Sequence, residues 1–348
     1  MKFKEAVTYD DMLLVPQYSD IESRSEGDIT NYLGHREFTL PIIASPMDTV
    51  SETEMAVTMI NAGGLAVLHR YNSITEQQAM AVEVDKATNL VEKKLAAAIG
   101  VTGDYLERTE ALISAGVDIL CVDVAHGHHA LMKKALTTLR QEYGNNIYIM
   151  AGNVCTLEGI NDLADWGANA VRCNIGGGSI CSTRIVTGHG LPGLQTIFDC
   201  AKTDRDVAII ADGGIKTSGD IVKALAAGAD FVMCGSLLAG TTESPGRVIS
   251  LPDNSRVKEY RGMASKDAQM NWRNKSSTPE GVASYIPFKG SAIDILRDLD
   301  GGIRSGLSYT GARSIDELQH KVEWARQTSA GLIESGTHIL TTQSGRRK

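Results

Sequence analysis

The chain has 348 residues, and its 34 basic against 42 acidic side chains leave a formal net charge of -8. That balance argues against a nucleic-acid or acidic-membrane surface, though not against an anionic small ligand held by backbone amides. The length suits one α/β barrel, whose core needs no disulfide or metal. The six cysteines are well separated with no C-x-x-C pair, and no run approaches a membrane span, so a cytoplasmic protein with reduced thiols is expected.

In chain order, residues 1–40 read as polar and irregular, ending in the extended Leu40–Pro46. Short apolar runs follow at Ile42–Ser45, Gly64–Leu68, Leu95–Gly100, Asp118–Val122, Ile147–Ala151, Ala170–Cys173, Val207–Ala211 and Phe231–Gly235. Between them lie helical patterns such as Glu52–Ala62, Tyr105–Ala115, Ala130–Glu142, Leu157–Trp166 and Ser218–Ala227. Several end in an Ala-Gly or Trp-Gly step, a helix stop. Eight strands alternating with helices predict a single (β/α)8 TIM barrel, with a doubly wound sheet as the other candidate. Ala264–Thr278 is polar and weakly periodic, either a surface loop or a flap spanning about 264–281. A short strand is expected over Tyr285–Gly290 and a helical part over Ile315–Thr328.

Chemistry in such a barrel sits on loops at the C-terminal strand ends. Those loops carry Ser45-Pro-Met-Asp-Thr49, His69-Arg-Tyr71, Asp123-Val-Ala-His-Gly127, Gly152-Asn153, Asn174–Arg184, Asp212-Gly-Gly214 and Gly235-Ser236. Asn174–Arg184 follows an apolar strand with three consecutive glycines and presents Ser179, Cys181, Ser182 and Thr183. It reads either as a ligand loop with a nucleophilic thiol or as a tight turn around an inert cysteine. The loops after strands seven and eight occupy the usual phosphate position. Asp212 would repel a phosphate, so a sugar hydroxyl suits it. Asp123 either does the same for a second ribose or caps the next helix. His69, His126, His128 and His129 lack the spacing of a zinc hydrolase.

These residues resemble the IMP dehydrogenase / GMP reductase family from about residue 8 to 338. The matching pieces are Tyr9–Pro16, Ser45–Val50, Asp123–Gly127, Ala151-Gly-Asn153, Gly176–Arg184, Ala211–Gly214, Gly235–Ala239 and Tyr260–Met263. The resemblance implies the same barrel, usually a homotetramer, here without the CBS modules that many members insert after the second helix. It makes Cys181 the nucleophile toward C2 of a purine nucleoside monophosphate, with Thr183 and Glu280 moving protons. Ser179, Gly214, Gly235, Ser236 and Tyr260 would hold the 5′-phosphate and Asp212 the ribose. Ser45, Met47, Asn153 and Arg172 would surround the substrate, with Gly262 and Met263 at the base edge. Asp123 and Ala125 would contact a nicotinamide cofactor. Gly176, Gly178 and Cys181, with Glu334, Ser335 and Gly336, resemble a monovalent-cation site shared between subunits, potassium being the expected ion.

Two reactions share the covalent adduct. The dehydrogenase oxidises IMP with NAD and hydrolyses the adduct to XMP, using an Arg-Tyr pair in the flap. The reductase expels ammonia from GMP and accepts hydride from NADPH, and needs only an acid for the departing amine. The flap has Trp272-Arg273 but no Arg-Tyr, and Ser23-Arg-Ser25 resembles reductases, so GMP reductase is favoured. Ser45-Pro-Met47, Asp123–His128, Gly235-Ser236 and Glu334–Gly336 look more like dehydrogenases. A non-catalytic nucleotide-binding barrel is a third reading, which the intact Cys181, Thr183 and Glu280 argue against. The familiar Gly-Ile-Gly-Pro-Gly is here Asn174-Ile-Gly-Gly-Gly178, expected to be looser, and His189 has no evident role.

Overall fold

The computed structural model describes residues 4–88, 94–275 and 277–337. Eight parallel strands close into a barrel in sequential order: β1 (Ile42–Ala44), β2 (Leu65–Leu68), β3 (Ala96–Ile99), β4 (Ile119–Asp123), β5 (Tyr148–Val154), β6 (Ala170–Cys173), β7 (Ala208–Asp212) and β8 (Phe231–Cys234). Each falls within or beside one of the apolar runs, and the (β/α)8 architecture is as the alternation predicts.

Strand periodicity sorts the side chains into two cores. Ile43, Leu65, Val67, Ala96, Ala98, Ile119, Cys121, Met150, Ala170, Ile210, Phe231 and Met233 point inward and fill the barrel. Their neighbours, including Ile42, Leu68, Ile99, Val122 and Val171, face the surrounding helices. Those helices are α1 (Thr53–Asn61), α2 (Ile74–Thr88), α3 (Tyr105–Ser114), α4 (Ala130–Tyr143), α5 (Leu157–Asp165), the short α6 (Thr183–Thr187), α7 (Gly193–Cys200) and α8 (Ser218–Ala226). The helix stops are real, as at Ala227-Gly228, where Gly228 has φ 107°.

The segment before the barrel is more ordered than its polarity suggests. Asn31–Leu33 and Arg36–Phe38 pair as a hairpin, and Leu33 and Phe38 join the inner core. The Phe38 ring meets Phe231 edge-on at 5.6 Å between centroids. Met12–Leu14 pairs antiparallel with Trp324–Arg326. That pairing corrects the single helical part expected over Ile315–Thr328. The segment is α11 (Ile315–Lys321) and then a strand, with α12 (Ser329–Glu334) beyond, because the N-terminal strand supplies ladder partners. The 19-residue α10 (Ala292–Thr310), absent from the sequence reading, buries Leu296, Leu299, Ile303 and Leu307 beside α8 and α1.

The expected flap also has more structure than its sequence declares. Strands β9 (Arg256–Arg261) and β10 (Ala283–Pro287) form an antiparallel pair above the barrel. Between them runs α9 (Lys266–Arg273), whose first turn is capped by Ser265 Oγ accepting from Ala268 N–H at 3.2 Å. Buried Gln269 closes the segment. Its amide donates to Ala264 O, and its Oε1 accepts from Ser277 N–H and Oγ–H at 2.8 and 2.9 Å. Among the described residues no helix is long and apolar enough to cross a membrane.

Candidate active site

A cavity of about 490 Å³ opens at the C-terminal ends of the strands, within the range of small-ligand sites. Every substrate, catalytic and cofactor position expected from the sequence borders it, as do Gly176 and Gly178. Glu334, Ser335 and Gly336 do not. They end α12, where the Ser335 hydroxyl bonds Gln327 and Gly331 of the same segment.

The cysteine loop is stitched to the returning edge of the flap. Cys181 bridges Gly281 in antiparallel fashion, Ser182 N–H donates to Glu280 O at 2.9 Å, and Val282 N–H donates to Ile180 O at 3.0 Å. Glu280 N–H in turn reaches Ala264 O at 3.0 Å. Backbone pairing therefore brings residues 99 positions apart side by side, and the Glu280 carbonyl oxygen accepts from the Cys181 thiol at 3.7 Å. Cys181 Sγ lies 3.1 Å from Thr183 Oγ1.

The six thiols are not equivalent. Cys121, Cys173, Cys200 and Cys234 are buried, and burial pushes the Cys121 and Cys234 thiols up to about 12. Burial likewise raises Cys155. Only Cys155 and Cys181 are part-exposed, and of these two only Cys181 lines the cavity, beside the Thr183 hydroxyl.

Opposite the thiol lies an ionic hub. Arg172 Nη1 donates to Asp123 Oδ1 at 2.5 Å, and Nη2 and Nε donate to Asp212 Oδ2 at 2.8 and 3.1 Å. Gly152, its neighbour in register on β5, admits this arginine: a Cβ there would sit 2.6 Å from Arg172 Cβ and 2.9 Å from its carbonyl oxygen. Burial works against every charge in the cluster. The Arg172 and Arg70 guanidiniums still hold the Asp123 carboxyl below the usual carboxylate range, and the carboxylates keep Arg172 protonated. Asn153 Nδ2 adds a third donor to Asp212 Oδ2 at 2.8 Å. Oδ1 of Asp212 has no hydrogen bond among the described residues, so one acceptor is left over for a ligand hydroxyl.

Counting Arg70, whose Nε lies 3.7 Å from Asp123 Oδ2, two guanidiniums balance two carboxylates, so an anion at the mouth would draw its donors from backbone amides. The turn at Gly235–Ala239 folds so that Gly235 O accepts from Leu238 and Ala239 N–H at 3.1 and 2.8 Å. That geometry aims the first amides of the turn outward. Beside it, burial pushes the Tyr260 phenol up to about 12, against an opposing hydrogen bond with Ser179. A Cβ at Gly235 would lie 2.9 Å from Tyr260 Oη and 3.3 Å from Met47 Sδ, so the pocket floor is only as wide as glycine leaves it. Met263 meets the first loop, its Sδ 3.5 Å from Asp48 N, and Arg261 pairs with the Asp48 carboxylate at 2.6 Å.

One wall was not assigned from the sequence. Tyr71 and Trp272 meet edge-on at 5.3 Å, the Arg70 guanidinium lies 5.1 and 5.9 Å from their ring centroids, and Arg273 stacks on Trp272 at 4.0 Å. A tryptophan in an otherwise polar flap was the available signal.

Three of the four loop histidines named above, and His189, find individual partners. His69 Nε2 is 3.0 Å from Glu52, His128 Nε2 is 2.8 Å from Asp162, and His129 Nδ1 caps α4 by accepting from Leu131 N–H. His189 Nδ1 is 2.8 Å from Thr187 O on the rim. Among the described residues, no group of three or more His, Cys, Asp or Glu is placed to hold a metal ion.

Fold and site together define a (β/α)8 barrel whose glycine-cysteine loop lines a cavity at the C-terminal ends of the strands. The model of the IMP dehydrogenase / GMP reductase domain matches residues 6–338. Inosine-5′-monophosphate dehydrogenase of Nitrosopumilus maritimus (strain SCM1) is 34% identical, covering 97% of this chain and 99% of its own length. GMP reductase of Leishmania major is 33% identical, covering 97% of each. Among solved structures, a cysteine-to-alanine variant of GMP reductase from Trypanosoma brucei, in complex with guanosine 5′-monophosphate, superposes with a TM-score of 0.91. It is 31% identical and covers 97% of this chain and 98% of its own. The chain belongs to the IMP dehydrogenase / GMP reductase family, and is a purine-nucleotide oxidoreductase of that family. The dehydrogenase alignment spans 475 positions against 348 residues here. This chain passes from α2 to β3 with only residues 89–95 between them, which leaves no room for an inserted module there.

Proposed function

We propose that this protein is a GMP reductase, carrying out NADPH-dependent reductive deamination of GMP to IMP and ammonia through a covalent Cys181 adduct. The observation that carries the reading is the flap. Hydrolysis of the adduct needs a base for water, which the resemblance places in an Arg-Tyr pair, and this flap offers Trp272-Arg273 instead. Arg273 lies over the indole ring at 4.0 Å. A π face favours the charged guanidinium, the wrong form for a base.

In this reaction Cys181 Sγ forms a bond to C2 of the guanine while the bond from C2 to the exocyclic amine breaks. Thr183, its hydroxyl 3.1 Å from the sulfur, and Glu280, which borders the same cavity, carry the proton that lets the amine leave as ammonia. Asp212 takes the ribose, and the Gly235–Ala239 turn, with Ser179, Gly214, Ser236 and Tyr260, takes the 5′-phosphate. Ser45, Met47, Asn153 and Arg172 flank the nucleotide, while Gly262 and Met263 meet the base edge. NADPH, when bound, supplies the hydride that replaces sulfur at C2, a two-electron reduction that frees the thiolate. The residues fit a dinucleotide there: Asp123 and exposed Ala125 border the cavity, and Arg70, Tyr71 and Trp272 form a cationic aromatic wall. Carbonyl oxygens of Gly176, Gly178 and Cys181 suit a potassium ion, which the homotetramer reading completes with Glu334, Ser335 and Gly336 of the partner subunit.

A second reading, IMP dehydrogenase with NAD, draws support from Ser45-Pro-Met47 and from the 34% identity to the Nitrosopumilus enzyme. Following nicotinamide absorbance with GMP plus NADPH, and separately with IMP plus NAD, tests both. Oxidation of NADPH with release of ammonia is expected. XMP formation in the second mixture with none of the first reaction would overturn the reductase reading.

A further inference from the structure

The cysteine loop departs from the Gly-Ile-Gly-Pro-Gly pattern at Asn174 and Gly177, and in the structure the two departures depend on each other. Asn174 is 3% exposed and holds φ 132°, a region that favours glycine. Its Nδ2 donates to Gly213 O at 3.2 Å, and its Oδ1 accepts from Arg184 Nη2 at 3.0 Å. Its backbone N–H donates to Val154 O at 2.7 Å, and its carbonyl accepts from Asn153 Nδ2 at 3.0 Å. One buried residue thus fastens the cysteine loop to the Asp212–Gly214 turn, to β5 and to α6. A Cβ at Gly177 would lie 2.0 Å from Asn174 Nδ2 and 2.7 Å from its Cγ. Gly177 is not among the glycines with positive φ. Its own backbone does not require glycine; the Asn174 amide does.

We propose that Asn174 and Gly177 form an obligate pair, in which the Asn174 amide fills the space of any side chain at 177 and positions the Cys181 loop against the Asp212–Gly214 turn. Side-chain hydrogen bonds then provide the stiffness a proline ring would otherwise give, in place of the looser loop the glycine run suggests. A non-glycine residue held at such a φ marks a segment whose surroundings over-determine it. Asn174 acts through the loop and does not touch the reacting atoms, so its role is positioning. The proposal rests on Cys181 being the reactive thiol, and not on which of the two reactions it serves.

A double-mutant cycle of Asn174→Gly, Gly177→Ala and both together tests it. The readouts are the pH profile of Cys181 alkylation by iodoacetamide, its protection by GMP, and kcat and KM for GMP. Asn174→Gly relieves the backbone, yet is expected to lower kcat about tenfold with KM little changed, and to shift the alkylation profile. Gly177→Ala alone should be worse, and the double variant should fall back to the level of Asn174→Gly, because the clash is gone. If Gly177→Ala does not fold, recovery of folding in the double variant reports the same coupling. Losses that multiply independently, or an Asn174→Gly protein with unchanged profile and kcat, overturn the pair. Alkylation is read without turnover, so an absence of GMP reduction would sink the reductase reading and leave this test intact.

Discussion

Arg172 reaches Asp212 with two donors converging on a single oxygen, Nε at 3.1 Å and Nη2 at 2.8 Å from Oδ2. Its remaining arm holds Asp123, so one buried cation bridges the two carboxylates. Removing it strands the Asp212 carboxylate and leaves Asp123 to Arg70 alone, 3.7 Å away. Arg172→Leu is expected to cost roughly 3–5 kcal/mol of unfolding free energy in denaturant titrations and to abolish turnover. A variant within 1 kcal/mol of the parent, by the same yardstick of about 3–5 kcal/mol, would show that the hub is not the brace described here.

Cys181 should be alkylated faster than the other five thiols, since four are buried and Cys155 is held up by burial. GMP or IMP is expected to protect it, and Cys181→Ala to abolish both protection-sensitive labelling and turnover. Mass spectrometry of peptides after brief labelling checks this. Equal, slow labelling of all six would favour a barrel that binds nucleotide without turning it over.

Glu280 is expected to serve amine departure more than substrate binding. Glu280→Gln keeps the size and the backbone bonds to Ser182 and Ala264 but loses the acid. Ammonia release in a single turnover should slow by about 10²-fold or more, with GMP protection of Cys181 preserved. Equal losses in binding and chemistry would instead mark Glu280 as a structural staple of the flap.

Asp230, just before β8, is part-buried, and that burial raises its carboxyl from 3.8 to about 6, with the Ile209 amide opposing. A raised folded pKa means that the folded state binds more protons than the unfolded state between those values, so stability falls as pH climbs from about 4 to about 6. Asp230→Asn keeps an acceptor for Ile209 N–H and removes the charge. The variant should lose that pH dependence and gain roughly 3 kcal/mol near neutrality. Thermal unfolding across pH 4–7 reads it, and a parent whose stability rises through that window would refute the assignment.

Most of the scaffold was legible because a parallel barrel writes its period plainly. Each strand is a short β-branched or alanine-rich run, and most of the intervening helices end on a glycine step that local sterics favour, so β1 to β8 fall where the apolar runs lie. The elements that were missed depend on distant partners. Trp324–Arg326 is a strand only because Met12–Leu14 lies alongside it. α9 is polar enough to pass for a loop until Ser265 and Gln269 close its ends.

The sequence by itself determined the reagents: a thiol after a glycine run, acids and amides at strand ends, and motifs specific enough to mark a nucleotide barrel. Those are properties of residue type and local spacing. The tertiary structure decided how the reagents are shared out. Asp123 and Asp212 both lean on Arg172, Glu280 meets Cys181 across a 99-residue separation, Trp272 closes on Tyr71, and Asn174 occupies the space beside Gly177. None of these pairings is local, and side-chain volume and hydrogen-bond geometry between distant segments appear only when the chain has closed on itself.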